Sequence, residues 1–196
     1  MRMSREAMAG HRRDIIAAAA RMLRERGIEG TSVADLMQAA GLTHGGFYRH
    51  FDSKAELVAE AAASAYGDIL EGIESKSGKS GAVEAVDEYI TQYLSRRHVT
   101  KPGFGCPMAA LGVEAAREGK AVQQVFAKGT EDLLGKLSAG RNGSAAERRS
   151  HALRILATLV GAIVIARAVG DDRLSEEVLS ACRETALPAR VDRRSR

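Results

Sequence analysis

The sequence of 196 residues contains few aromatic residues, few prolines and few cysteines. Tryptophan is absent and aromatic residues make up 4%, so the core has to be built mainly from aliphatic side chains and alanine. Three prolines leave room for long uninterrupted helices. Two cysteines, Cys106 and Cys182, are too few for a disulfide framework or for a four-ligand zinc site of their own, which favours a reducing compartment.

A long apolar run is also missing. The longest strongly apolar run without a charge, residues 155–166, has twelve residues, whereas a helix that spans a membrane needs about 20. Near the N-terminus, Arg12, Arg13 and Asp14 interrupt any apolar core of a signal peptide. We therefore expect a soluble protein located in the cytoplasm.

The excess of positive charge is concentrated at the C-terminus. The 29 Lys and Arg residues against 25 Asp and Glu residues give a formal net charge of +4. Residues 190–196 hold four arginines and Asp192 and so account for +3, which leaves +1 for the rest of the chain. This distribution predicts a solvated, disordered tail. It also makes net charge weak evidence for nucleic-acid binding, which must rest on a positioned site instead.

Apolar residues recur with the helical period in every long segment, and no stretch alternates as a half-buried strand does. The first predicted helix covers residues 11–26. The second begins at an N-cap, Thr31 or Ser32, and ends at Gly41, and a short third helix starts at residue 43. The remaining predicted helices cover residues 54–74, 82–97, 107–118, 120–138, 145–169 and 175–185. The polar stretch 75–81 predicts a hinge. The fold predicted from the sequence is all-α.

The first fifty residues have the arrangement of a helix-turn-helix, because three short helices follow one another and a glycine turn joins the second to the third. The third, residues 43–51, would be the recognition helix, which lies in the major groove of DNA. Phe47 and Phe51 stand four residues apart and can bury together. His44 and Tyr48, also four apart, form the neighbouring stripe and can face a duplex.

Glycines and helix N-termini near this segment favour contact with a phosphate backbone. Gly45 and Gly46 would each destabilise a helix by roughly 1 kcal/mol relative to alanine, which makes sense if something must approach the backbone closely. The N-terminus of the fourth helix, with Lys54, is suited to bind a phosphate. Thr31 and Ser32 are expected to do the same at the second helix.

These residues resemble the DNA-binding region of the TetR/AcrR family of bacterial transcriptional repressors. The block Phe-Tyr-x-His-Phe-x-x-Lys at 47–54, the turn glycine at 41 and Gly-x-x-x-Thr at 27–31 occur together and in order. The resemblance covers roughly residues 12–58. It implies a homodimer in which an N-terminal helix-turn-helix domain is joined by a long fourth helix to a C-terminal helical bundle for ligand binding and dimerisation.

The resemblance also implies roles and boundaries. Thr43, His44 and Gly45 fall where the family contacts bases or adjacent backbone, and Tyr48, His50 and Lys54 fall where it contacts phosphates. Ala34 departs from members that reach bases with a long side chain at the start of the second helix. The expected division is a DNA-binding domain at 1–58, a ligand-binding and dimerisation domain at 59–189, and a basic tail at 190–196.

The bulky residues of the C-terminal half are the candidates to line an effector pocket. They are Tyr66, Tyr89, Tyr93, Phe104, Met108, Leu111 and Phe126. Tyr89 and Tyr93 are the preferred pair, since a tyrosine on an apolar face needs a partner for its hydroxyl. Cys106 precedes a predicted helix N-terminus, where a thiol pKa is lowered, and is either a small buried residue or the thiol of an electrophile sensor.

The predicted helix 145–169 is apolar nearly all round, which one small subunit cannot cover. Together with the last helix it is expected to form a four-helix dimer interface, to which Cys182 could also belong. The predicted interface residues are Leu156, Val160, Ile163, Val164, Leu174 and Val178.

The sequence offers no catalytic or metal-binding pattern. The five histidines lack metal-ligand spacing, no serine has a nucleophile-elbow context, and Gly-Lys-Ser at 78–80 lacks the rest of a phosphate-binding loop. We therefore predict a ligand-responsive transcriptional regulator, expected to be a repressor, that binds a palindromic DNA operator as a homodimer and has no enzymatic activity and no cofactor. Two alternatives stay open: a repressor that senses electrophiles or oxidants through Cys106, and a DNA-binding regulator without a small ligand.

Overall fold

The computed structural model describes residues 5–187, so the tail predicted at 190–196 lies outside the described part. Within that part the chain is helical and no strand occurs. The α-helices are α1 (Arg5–Arg26), α2 (Val33–Ala39), α3 (Lys54–Ser80), α4 (Ala82–Tyr93), α5 (Arg96–Thr100), α6 (Pro107–Ala115), α7 (Lys120–Ser138), α8 (Ala145–Ala168) and α9 (Asp172–Ala186). Two 3-10 helices cover His44–Arg49 and Pro102–Phe104. The all-α prediction is confirmed.

The described residues form two compact units. The first extends to Gly72 and includes Lys101–Leu133; the second comprises Ile73–Thr100 and the residues from Leu134 onward. The boundaries between these units lie within α3 and α7. The boundary predicted from the sequence, between residues 58 and 59, separates the chain by expected function instead. That functional boundary stays a prediction.

The first unit has one apolar core. Helix α1 packs on α2 and α6, and α2 packs on the 3-10 helix His44–Arg49. The largest fully buried side chains of this core are Ile15, Leu23, Leu36, Met37, Phe47, Phe51 and Leu57. We call α1, α2, this 3-10 helix and the first turn of α3 the reading head; its core fixes the orientation of the 3-10 helix.

The predicted hinge at 75–81 is wrong, because α3 stays helical to Ser80 and ends at Gly81, whose φ is +97°. Two ion pairs support this last part of the helix: Lys76 with Glu88 at 2.5 Å and Lys136 with Glu74 at 3.2 Å. The polar composition therefore reflects an exposed helical face. Packing within the second unit outweighs the low helix propensity of glycine and serine.

The predicted helix 82–97 is also wrong in its extent, since it breaks after Tyr93. Arg183 of α9 donates a hydrogen bond to the carbonyl of Leu94 at 2.7 Å, and the His98 ring lies 2.9 Å from the carbonyl of Tyr93. These side chains bind the carbonyl groups that a continuing helix would have used. The chain then restarts as α5.

Helices α8 and α9 pack along each other in the second unit, and α8 also contacts α5. Among the described residues, α8 alone is long and apolar enough, by length and composition, to cross a membrane. Core helices have the same properties, and Leu159 and Ile163 of α8 are fully buried inside this unit. Ser144 caps α8 together with Glu147, whose pKa is lowered by the backbone N–H of Ser144.

Candidate nucleic-acid interface

The predicted recognition helix is present as the 3-10 helix His44–Arg49. It begins after Thr43, which has extended backbone, and ends at His50, whose N–H donates to the carbonyl of Phe47 at 2.8 Å. Gly41, with a φ of +72°, makes the turn that separates this helix from α2. Because two consecutive glycines weaken an α-helix, a short 3-10 helix is a reasonable form for this segment.

The two faces of the recognition helix differ sharply. Phe47 and Phe51 are buried and stack with their ring centroids 5.6 Å apart. Tyr48 is 71% exposed although its ring meets that of Phe47 edge-on. Thr43 and His44 are exposed as well. The apolar face is thus used by the core, and the polar face is free for a partner molecule.

The two glycines of this helix have different surroundings. A Cβ atom at Gly46 would lie 3.5 Å from the side chain of Met37, so Gly46 is in ordinary contact with the core. A Cβ atom at Gly45 would meet nothing within 4 Å, and Gly45 is exposed. Nothing among the described residues therefore requires glycine at position 45, which fits close approach by an external partner.

Arg12 connects α1 to the first turns of α3. Its guanidinium pairs with Glu56 at 3.0 Å and with Glu60, and lies 4.4 Å from the centre of the Phe51 ring. Glu56 also accepts the backbone N–H of Asp52 at 2.7 Å, and this bond, followed by Arg12, lowers the pKa of its carboxyl. Sequence analysis did not identify Arg12 as a link between α1 and α3. The available signal was its spacing of seven residues from Ala19, which places both residues on one side of the helix.

Lys54 lies at the first position of α3, as predicted, but its side chain is half-buried. Its Nζ donates a hydrogen bond to the carbonyl of Ile28 at 2.6 Å. Lys54 therefore ties the start of α3 to the turn between α1 and α2. A phosphate contact by this ammonium group would be made from an already fixed position.

Thr31 and Ser32 face different ways. Thr31 is fully buried and its hydroxyl donates to the carbonyl of Gly27 at 2.7 Å, so the expected phosphate contact by this side chain is corrected. Ser32 is exposed and forms a capping box with Asp35. Its hydrogen bonds lower the pKa of the Asp35 carboxyl, which places a negative charge at the N-terminus of α2.

His50 is half-buried beside His11, with ring centroids 6.4 Å apart. Its Nδ1 is buried and has no hydrogen-bond partner within the described residues. Desolvation, followed by the charges of His11 and Arg12, lowers the pKa of the His50 imidazole. Arg49, which sequence analysis did not select, is exposed next to Tyr48, and its charge inside the motif was the available signal.

The predicted pocket residues fall into two clusters. In the first unit, Tyr66 and Phe126 meet edge-on at 5.9 Å and belong to the core that includes Leu111, with Met108 packed against it. In the second unit, Tyr89 and Tyr93 meet at 5.6 Å. Phe104 is 69% exposed, which corrects its expected place inside a cavity.

Two hydroxyl groups stand out in the first cluster. Tyr66 Oη and Thr130 Oγ1 are buried, and neither has a hydrogen-bond partner of good geometry in the described part of the chain. Burial raises the pKa of the Tyr66 hydroxyl, and Cys106 adds to this effect. The ring of Tyr66 lies so close to α7 that a Cβ atom on Gly129 would come within 2.3 Å of it.

Cys106 lies immediately before α6 and is 1% exposed. The carbonyl of its neighbour Gly105 accepts a hydrogen bond from Arg24 at 2.8 Å, and burial lowers the pKa of Arg24. An electrophile could reach this thiol only if the surrounding packing opened. Cys182 on α9 is partly exposed.

The predicted dimer residues divide by exposure. Leu156 and Ile163 are buried inside the second unit, so these two predictions are corrected: the side chains pack within the subunit. Val164 is 45% exposed and Leu174 is 42% exposed, whereas Val160 and Val178 are partly exposed. Together with Leu153, which is 47% exposed, they form what we call the outward stripe of α8 and α9.

The model of the family described as bacterial regulatory proteins, tetR family, matches residues 15–61. The HTH-type transcriptional regulator Rv0196 of Mycobacterium tuberculosis is 33% identical over 170 residues, which cover 82% of this chain and 86% of the relative. The HTH-type transcriptional repressor KstR2 of Rhodococcus jostii is 42% identical over 52 residues, 26% of each chain.

The fold is also shared with solved structures. The reduced form of NemR from Escherichia coli superposes with a TM-score of 0.75 at 20% sequence identity, covering 90% of this chain and 95% of NemR. At this identity the likeness concerns the fold alone.

Proposed function

The chain belongs to the TetR family of bacterial transcriptional regulators, and on that premise we propose that it is a ligand-responsive repressor in the cytoplasm. It binds a palindromic operator as a homodimer and is released by a small molecule. The observation that carries this proposal is the recognition helix, whose aromatic residues Phe47 and Phe51 are buried while His44, Gly45 and Tyr48 are exposed. The similarity over 52 residues to a protein named as a repressor supports repression.

The polar residues of the reading head receive different roles. Thr43, His44 and Gly45 lie at the start of the recognition helix, the part that meets base edges in the major groove. Tyr48, His50 and Lys54 contact phosphates, and the exposed Arg49 joins them. Ser32 contributes from α2, whereas the inward-facing hydroxyl of Thr31 does not. Phosphate contacts supply affinity and base contacts supply sequence preference.

The outward stripe of α8 and α9 is the proposed dimer interface. Its members recur at helical spacing and face away from the core of the second unit, so they bury apolar area only against a partner. A second copy of the chain would offer the same stripe, as two-fold symmetry requires. Two heads held this way would read half-sites spaced by whole helical turns, roughly 34 Å or multiples of it.

The proposed effector contacts are Tyr66, Met108, Leu111 and Phe126 of the first unit, and the pair Tyr89 and Tyr93 of the second unit is the alternative site. The buried hydroxyls of Tyr66 and Thr130 lie close enough to interact, but neither has a hydrogen-bond partner of good geometry among the described residues, and an imperfectly paired buried polar group is destabilising. A ligand with a hydrogen-bonding group could pair with them and would favour the conformation that admits it. Release from DNA then requires different ligand affinities in two states, with a coupling of about 1–3 kcal/mol.

Selection from random duplexes followed by binding assays tests this function. The expected result is an enriched palindrome, bound by a dimer, with affinity that falls when an effector is added from a panel of small molecules. No enrichment at low salt would contradict DNA recognition. Enrichment without any releasing molecule would favour the regulator that lacks a ligand. Release by electrophiles that disappears in Cys106→Ser would favour the thiol sensor.

A further inference from the structure

The turn between α1 and α2 is held by side chains from two other helices. Gly27 ends α1 with a φ of +82°, and Ile28, which follows it, is buried. One carboxylate oxygen of Glu114, on α6, accepts the N–H of Ile28 at 2.6 Å and the N–H of Glu29 at 3.1 Å. Bonds from N–H groups to an ionised acceptor are stronger than those between neutral groups.

The fit between this carboxylate and the turn depends on glycine. A Cβ atom at Gly27 would lie 2.7 Å from Oε1 of Glu114, a distance that real Cβ atoms do not reach. The absent side chain therefore makes room for the carboxylate, and the left-handed backbone directs the next two N–H groups toward it.

The same residue, Ile28, is held from its other side. Its carbonyl accepts a hydrogen bond from Nζ of Lys54 at 2.6 Å. An anion from α6 and a cation from α3 thus bind the N–H and the C=O of one residue. Ser32, the N-cap of α2, follows four residues later, and α2 packs on the recognition helix.

We infer that Glu114 is a positioning residue for DNA binding, which holds the α1–α2 turn and thereby places α2 and Lys54 without touching DNA. This inference rests on the proposed function. The competing explanation is that Glu114 only adds to the stability of the first unit. If Glu114 acted only through its charge, its removal should strengthen DNA binding, because DNA repels a carboxylate. A positioning role predicts that the removal weakens binding.

The test compares Glu114→Ala, Glu114→Gln and Glu118→Ala on a duplex selected by the unmodified protein. Glu118→Ala is the matched control, because it removes the same charge four residues later, in the turn that follows the end of α6 at Ala115. We expect Glu114→Ala to bind about tenfold more weakly, Glu114→Gln to recover part of the loss through its neutral acceptor, and Glu118→Ala to bind no more weakly than the unmodified protein. The dependence of log K on log salt should fall by no more than about one, the change expected if only the Lys54 contact is displaced, since Glu114 itself contacts no phosphate.

Amide hydrogen exchange separates positioning from stability. In Glu114→Ala the amides of Ile28 and Glu29 should exchange at least about tenfold faster, while amides elsewhere in the first unit, in α7 up to Leu133, keep their rates. Affinity equal to that of the unmodified protein, or a loss accompanied by faster exchange throughout the first unit, would overturn the inference. If the unmodified protein selects no duplex, the proposed function fails and this role fails with it. If the unmodified protein selects a duplex and Glu114→Ala binds it with equal affinity, only the role of Glu114 fails.

Discussion

The exposed positions of the recognition helix hold polar residues or glycine, whereas α8 and α9 expose aliphatic side chains. His44, Gly45 and Tyr48 face solvent in the first case, and Leu153, Val164 and Leu174 in the second. Both regions are helical, and both have an apolar inner face. The difference lies in what the outer face can bind.

This contrast teaches that the outer face, more than the helical period, indicates the partner. A polar face that includes a glycine, where the backbone is accessible, suits contact with the sugar-phosphate backbone and base edges of DNA. An aliphatic stripe at helical spacing suits the same stripe on a second copy.

The largest effect is expected from a charge placed on the outward stripe. Val164→Asp should give a monomer, and operator affinity should fall at least about 100-fold because the two heads no longer bind as one unit. Light scattering and fluorescence anisotropy measure the two quantities. Val113→Asp, at an exposed valine of α6, is the control and should remain dimeric. A dimeric Val164→Asp would refute the proposed interface.

His44→Ala tests base recognition by the exposed start of the recognition helix. The variant should lose preference at one operator position, by about 1–3 kcal/mol, while binding at the others is kept. Repeating the duplex selection with the variant shows which position relaxes. Uniform weakening across all duplexes would instead assign His44 to the phosphate backbone.

Lys54→Ala should weaken binding about tenfold on every sequence and reduce the salt slope by about one. It should also destabilise the reading head, because Ile28 loses its bond to Nζ. Titrations at several salt concentrations and chemical denaturation report on the two effects. An unchanged slope would leave Lys54 with the positioning role alone, and a changed base preference would contradict both roles.

Tyr48→Phe removes one exposed hydroxyl and leaves the ring contact with Phe47. Binding should weaken about fivefold on all duplexes, as expected for one hydrogen bond, with no change of stability. Parallel anisotropy titrations on specific and unrelated duplexes provide the measurement. A loss restricted to the selected duplex would show that Tyr48 reads bases.

The smallest effect concerns pH. The pKa of His50 in the free protein lies below its ordinary value of 6.5, mainly because of desolvation. The folded state therefore binds fewer protons than the unfolded state just below that pH, so stability is complete above 6.5 and declines as pH falls through it. A neighbouring phosphate favours the charged form, so binding takes up a proton.

Affinity should accordingly rise about threefold from pH 7.5 to pH 6.0, and His50→Gln should remove this rise. Anisotropy at constant ionic strength measures it. Identical pH dependence in the variant would place the titrating group elsewhere.

The reading head could be predicted in detail because its information is local. The spacing of Phe47 and Phe51, the turn at Gly41 and the capping residues Ser32 and Ser53 all act over a few positions. The exposure of Tyr48 followed from the same spacing. What remained hidden there were bonds between distant residues, such as Arg12 with Glu60.

The C-terminal helices were predicted as elements but not in their orientation. Helix 145–169 is apolar nearly all round, so the pattern could not say which side faces the core, and Leu156 and Ile163 were placed outside. The segment 75–81 was misjudged because its ion partners Glu88 and Lys136 lie on other helices.

The sequence by itself determined the helical class, the recognition motif and the residues that the motif exposes, since each depends on contacts within about one turn of helix. Only the tertiary structure decided that Thr31 faces inward, that Glu114 and Lys54 hold Ile28, and which side of α8 stays exposed. Those outcomes depend on groups far apart in the chain, and the packing of several helices sets their distances.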